Sequence, residues 1–149
     1  MEYRIKPLSA AYVDEVCRLE EEAFSMPWHR ESFLEMIEHP AACYLVALEE
    51  GPLGERVVAS CGLREIVGEG EITNVVTDAS RRGRGIGKML LTALLEEGKK
   101  RGIEAFTLEV RKSNTAAISL YESLGFREEG IRPNFYEKPV EDALIMWKR

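Results

Sequence analysis

Apolar positions along this chain switch between two periods, and the switches mark out its elements. Tyr3 to Pro7 alternates as a short strand. From Ala11 to Phe24 the residues Val13, Val16, Cys17, Leu19 and Phe24 fall near one helical stripe, and a shorter helix is expected over Arg30 to Glu38 with Phe33, Met36 and Ile37 inward. Two strands, Tyr44 to Leu48 and Val57 to Ile66, flank the turn Gly51-Pro52-Leu53-Gly54, and a third covers Glu71 to Thr77. The clearest helix is Gly85 to Arg101. Ile86, Leu90, Ala93 and Leu94 share one face, Met89, Leu91 and Leu95 widen it, and Gly102 ends it. Ala105 to Arg111 returns to period two, sending Phe106, Leu108 and Val110 one way and Thr107, Glu109 and Arg111 the other. Ser113 or Asn114 can cap a helix over Thr115 to Leu124 that ends at Gly125, before two last strands at Arg127 to Arg132 and Ala143 to Lys148. With no repeat or linker and no strict βα alternation, the pattern predicts one α/β domain over residues 1–149, a central mixed sheet with helices on both faces.

Composition narrows the class. At 149 residues with 45% apolar and 31% charged positions, the chain can bury a full core without disulfides or metal. No apolar run approaches the roughly 18 residues needed to cross a bilayer, and Met-Glu-Tyr-Arg-Ile-Lys lacks the features of a signal peptide, so a cytoplasmic protein without a membrane span is expected. Cys17, Cys43 and Cys61 are odd in number and widely spaced among apolar neighbours, which suits reduced core thiols. His29 and His39 have no companions at metal-ligand spacing, so no metal is expected. A net charge of −6 argues against a general nucleic-acid binder and favours a basic partner.

Candidate chemistry concentrates where the Glu71 to Thr77 strand runs through Arg81-Arg82-Gly83-Arg84-Gly85-Ile86-Gly87 into the long helix. Glycines there allow tight turning and close approach of a ligand, and the free N–H groups of the helix start favour an anion such as a phosphate. The register excludes a Walker A loop, which needs Gly at Arg82 and Ser or Thr at Met89. It also excludes the dinucleotide fingerprint, which needs Gly at Lys88 or Leu90. The pattern R-x-x-G-x-G over Arg82 to Gly87 resembles the pyrophosphate-binding signature of the GNAT acyltransferases. Downstream, Leu108-Glu109-Val110-Arg111-Lys112-Ser113-Asn114 and Ala117 to Phe126 (A-I-x-L-Y-E-S-L-G-F) are similar to the RimI subfamily of that family, as are Pro27-Trp28 and Arg132-Pro133-Asn134-Phe135-Tyr136.

This resemblance, which covers most of Ile72 to Met146, implies the GNAT fold. It implies acetyl transfer from acetyl-coenzyme A to the amino-terminal alanine of a basic small-subunit ribosomal protein, by direct attack of the amine on the thioester. The backbone of Val75, Val76 and Thr77 would pair with the pantetheine arm. Arg82, Gly83, Arg84, Gly85, Ile86 and Gly87 would hold the pyrophosphate, and Asn114 and Tyr121 would contact the arm from the other side. Glu109 would be the general base, acting through water because a carboxyl near 4.3 is a weak base for this task, and Tyr121 the general acid. A phenol near 10 protonating a thiolate near 8.5 runs uphill by about 2 kcal/mol, so a hydrogen bond to sulfur is the softer role. Trp28, Asn134 and Tyr136 would meet the acceptor, and Glu22, Glu31 or Glu137 its basic residues. The residues alone leave alternatives open. Glu109 could pair with Arg111 or a lysine, Tyr121 could be a helix aromatic beside Ala117 and Leu124, and Trp28 could simply fill the core. A relaxed N-terminal, lysine or small-amine acetyltransferase and a non-catalytic coenzyme A-binding module are the rival functions.

Overall fold

The fold is given by a computed structural model that describes residues 3–149. In chain order it has strand β1 (Tyr3–Pro7), helices α1 (Val13–Ala23) and α2 (Arg30–Glu38), and strands β2 (Ala42–Gly51), β3 (Gly54–Ile66) and β4 (Glu69–Thr77). Helix α3 (Ile86–Lys100), strand β5 (Ala105–Arg111), helix α4 (Thr115–Ser123) and strands β6 (Arg127–Tyr136) and β7 (Glu141–Lys148) follow. The seven strands form one mixed sheet in the order β1-β2-β3-β4-β5-β7-β6, in which only β4 and β5 are parallel. Met1 and Glu2, part of the alternating amino-terminal run, lie outside the described residues.

β2 explains why helices cover both faces. Its side chains alternate, Cys43, Leu45 and Ala47 joining the core under α3, and Tyr44, Val46 and Leu48 the core under α1 and α2. The α3 stripe of Leu90, Leu91, Leu94 and Leu95 fills the first core, and Val13, Val16 and Leu19 of α1 with Phe33 of α2 fill the second. Cys43 and Cys61 are buried free thiols and Cys17 is half-buried. β6 runs past the expected end at Arg132 because its pairing with β7, interrupted after Arg132, resumes at Tyr136. On an edge strand with few buried positions, such a bulge leaves no period for the sequence to display.

One irregularity creates the site. In the β3–β4 pairing Ser60 faces Val76 and Gly62 faces Thr73, so Cys61 alone opposes both Asn74 and Val75. Asn74 takes φ 56°, a left-handed conformation that asparagine tolerates better than most residues. The bulge bends β4, and its pairing with β5 stops after three positions, the last being Glu71 opposite Thr107. Beyond that point the strands part and leave the second half of β4 with a free edge.

Candidate active site

The gap between β4 and β5 opens into a groove of about 780 Å³. Its walls are the parted strands, the start of α3, one face of α4 and the α1–α2 loop. Val75, Val76 and Thr77 border it on one side, and Glu109 and Arg111 on the other. At one end lies the glycine-rich turn. Gly83 (φ 80°) and Gly85 (φ 76°) both take the left-handed conformation that glycine alone adopts without strain. Gly85 caps α3, which has no side-chain cap and no acidic residue in its first turn, so its leading N–H groups and positive dipole end stay available to an anion. At Gly87 space is tight, since a Cβ there would stand 3.3 Å from Thr77 Oγ1 and 3.4 Å from Leu120 Cδ2.

The three arginines of this turn have separate fates. Arg81 makes a two-pronged contact with the buried Glu49, Nε to Oε2 at 2.9 Å and Nη2 to Oε1 at 2.6 Å, which ties the turn to β2. Arg84 reaches the Tyr3 hydroxyl at 3.3 Å and does not line the groove. Arg82 lines the groove and has no ion-pair or hydrogen-bond partner among the described residues. It is the cation of the turn left free for a ligand.

Glu109 and Tyr121 both line the groove, from opposite faces of the sheet. The alternation of β5 buries Phe106, Leu108 and Val110 under α3 and turns Glu109 to the α1 face. Arg111 is not its partner. That guanidinium binds the Pro139 and Glu137 carbonyls at 3.0 and 2.8 Å, pairs with Glu141 at 3.2 Å and stacks on Tyr136, locking the β6–β7 hairpin. Glu109 instead has Arg132 Nε at 3.3 Å from Oε2, a distance that brings charge close without hydrogen-bond alignment. Burial raises the Glu109 carboxyl above its ordinary range, Arg132 pulls it down, and the nearby Glu71 raises it further.

Tyr121 is buried on α4 against Phe126, and burial pushes its phenol well above the usual range. Asn114 borders the groove, and its Oδ1 accepts the Ala117 N–H at 3.2 Å, which makes it the α4 cap and leaves its amide NH₂ without a partner among the described residues. Trp28 both packs on Phe33, with ring centroids 5.4 Å apart, and lines the groove. Tyr136 lines it too, its phenol pushed up to about 12 by burial and by Glu109. Asn134 sits on the β6 bulge with its N–H bound to Asp142 and does not line the groove; the neighbouring Phe135 does. Glu22, Glu31 and Glu137 are not lining residues either.

Sequence reasoning missed Glu20. It lines the groove yet is fully buried (0% exposed), its Oε1 accepting from Asn74 Nδ2 at 2.9 Å and from the Trp28 N–H at 3.4 Å. The available signal was its spacing of i, i+3, i+7 with Val13 and Val16, which puts a carboxylate on the apolar stripe of α1.

The mixed sheet parted between two parallel strands, with an uncapped helix start and a buried carboxylate in one groove, is that of an N-acetyltransferase by its similarity to known proteins. The Acetyltransferase (GNAT) family matches residues 13–126, and the chain belongs to that family. Among its relatives, a Bacillus subtilis protein is 37% identical over 136 residues, covering 91% of this chain and 87% of its own. The [ribosomal protein bS18]-alanine N-acetyltransferase of Salmonella typhimurium is 36% identical over 145 residues, covering 95% and 94%. The crystal structure of the ribosomal-protein-S18-alanine N-acetyltransferase from Escherichia coli superposes with a TM-score of 0.87 at 32% identity, covering 99% of this chain and 93% of that one. Among the described residues no helix is long and apolar enough to cross a membrane.

Proposed function

We propose that this enzyme transfers the acetyl group of acetyl-coenzyme A to a protein α-amine, that of the amino-terminal alanine of ribosomal protein bS18. The observation that carries the reading is the near full-length similarity to an enzyme of that name, 36% identity over 95% of this chain, joined to a groove lined by both Glu109 and Tyr121. The residues fit the donor. Arg82 and the uncapped start of α3 suit its phosphates, the open space beside Gly83 and Gly85 suits a ligand lying close to the turn, and the free edge of β4 at Val75 to Thr77 suits its amide-bearing arm. Acetyl-coenzyme A supplies the activated thioester.

The acceptor arrives as an ammonium and must lose a proton before its nitrogen can attack. Deprotonating an α-amine of pKa about 8 at pH 7 costs about 1.4 kcal/mol, whereas a lysine at about 10.4 costs about 4.6 kcal/mol, which favours the α-amine. Glu109, raised by burial, is a better proton acceptor than an exposed glutamate, and it takes the proton through water. As the N–C bond forms and the C–S bond breaks, the Tyr121 hydroxyl donates a hydrogen bond to the departing sulfur. Its elevated pKa makes full transfer of that proton costlier than the hydrogen bond. Trp28 and Tyr136 would hold the first residue of the acceptor between the α1–α2 loop and the β6–β7 hairpin.

Mass spectrometry after incubation with acetyl-coenzyme A and a peptide copying the bS18 amino terminus tests this. Acetylation of the free α-amine, with a blocked lysine-containing peptide untouched, is the expected result. Acetylation of the blocked peptide's lysine would move the assignment to a relaxed acetyltransferase.

A further inference from the structure

Four buried side-chain atoms have no protein hydrogen-bond partner among the described residues: Glu20 Oε2, Ser60 Oγ, Thr73 Oγ1 and Glu109 Oε2. Leaving such an atom unpaired forfeits its hydration without replacing it, so each calls for a bound water or a ligand. Glu20, Thr73 and Glu109 all line the groove, whereas Ser60 lies on β3 outside the lining.

Register arranges the three in a row. Glu71 is the last β4 residue paired to β5, opposite Thr107, so two positions further Thr73 and Glu109 stand on the same sheet face across the opening gap. Thr73 pairs with Gly62 and Gly62 with Tyr44, which fixes that face as the one under α1. The next residue, Asn74, is re-aimed by the bulge and binds Glu20 of α1. The order across the groove is therefore Glu109, Thr73, Glu20.

We propose that internal waters join Glu109, Thr73 and Glu20 into a relay that carries the acceptor's proton away from the attacking nitrogen, with Glu20 as the group that holds it. This rests on the reading of the groove as an amine acetylation site. The ammonium gives one proton to the water against Glu109. Exchange through the Thr73 hydroxyl, which can both accept and donate, delivers a proton to Glu20 Oε2 and converts the carboxylate to the acid. The neutral amine forms the N–C bond as the C–S bond breaks, its second proton ends on the thiolate to give the thiol, and Glu20 returns its proton to solvent after product leaves. One proton is released per turnover.

Glu20 suits this role because, among the described residues, no cation acts on its carboxyl. The groups facing it are the Asn74 amide, the Trp28 N–H, the Tyr44 phenol of β2 and Cys17 of its own helix. Burial raises its carboxyl to about 7, between an ordinary glutamate and an α-amine near 8. Glu109, by contrast, faces Arg132, Glu71 and Tyr136.

Glu20→Gln keeps an oxygen for Asn74 and Trp28 but cannot hold a proton. With the bS18 peptide, kcat at pH 7 is expected to fall about 10- to 100-fold while acetyl-coenzyme A affinity is unchanged, and the acidic limb of the kcat profile should move. Infrared difference spectra of the ligand-free protein between pH 5 and 9 should lose the carbonyl band of a protonated buried acid. Thr73→Val should lower kcat similarly and Thr73→Ser should restore it. A Glu20→Gln protein with wild-type kcat and pH profile would overturn the relay, reducing Glu20 to a tie between α1 and the bulge. Should that variant fail to fold, wild-type kcat in Thr73→Val overturns it equally. Absence of turnover in the wild-type protein would instead strike at the acetylation reading, and the infrared band would still report whether Glu20 carries a proton.

Discussion

Arg132 Nε stands 3.3 Å from Glu109 Oε2, so the carboxylate at the parting of β4 and β5 is held between two opposing influences. Desolvation drives its pKa up, and a guanidinium more than half exposed to solvent (57%) draws it down. Arg132 comes from the edge strand β6 and Glu109 from β5, with β7 between them in the sheet, so the pair depends on the hairpin held by Arg111.

Removing the cation leaves desolvation unopposed. Arg132→Ala is expected to raise the Glu109 pKa further and shift the acidic limb of kcat/KM toward higher pH, the shift being modest because Arg132 is solvent-screened. The displacement should shrink at high salt. Glu109→Gln should lower kcat about 100-fold with acetyl-coenzyme A affinity retained, as read by calorimetry and steady-state kinetics. Unchanged turnover would remove Glu109 from the mechanism.

At the glycine-rich turn, Gly85→Ala meets no neighbour but places a Cβ at φ 76°, and should cost about 1–2 kcal/mol of stability with little effect on the donor's affinity. Gly85→Glu adds a like charge where phosphate would lie, and should weaken acetyl-coenzyme A binding at least about tenfold. Equal dissociation constants for the two variants in a calorimetric titration would contradict an anion site there.

Glu20 links stability to pH with a definite sign. Its carboxyl titrates near 4.5 when unfolded and about 7 when folded, so between these values the native state binds the extra proton and stability falls as pH rises. The penalty is absent below the lower value and fully developed above the upper one, amounting to about 3 kcal/mol. Urea unfolding at pH 5 and pH 8 should therefore show a smaller drop in Glu20→Gln than in wild type.

Inside a helix, Gly→Ala normally stabilises by about 1 kcal/mol. Gly98 on α3 should reverse that sign, because a Cβ there would lie 2.6 Å from Phe106 Cε1 and 3.1 Å from Leu63 Cδ2, deep in the core. A melting temperature below wild type is the expected outcome for Gly98→Ala.

Where side-chain period and turn chemistry decide structure, the sequence was legible. Arg30–Glu38 forms the second helix with the expected ends, the α3 stripe packs as its spacing required, and alternation along Ala105–Arg111 turned Glu109 away from Phe106, Leu108 and Val110. The R-x-x-G-x-G register likewise located an uncapped helix start, because turn geometry and free N–H groups follow from a few consecutive residues. Tertiary structure decided which polar groups lose water and which charges meet. Glu20 sits in a run of three glutamates, yet it alone of them is fully buried, because Asn74, 54 positions along the chain, closes over it at the bulge. Arg82 is free while Arg81 and Arg84 are engaged by Glu49 and Tyr3, and Asn134 is carried out of the groove by a break in the β6–β7 pairing. Periodicity reports only which face of its own element a residue occupies. Desolvation and Coulomb interactions depend on what other elements bring against that face, and that is set when strands distant in sequence pair and then part.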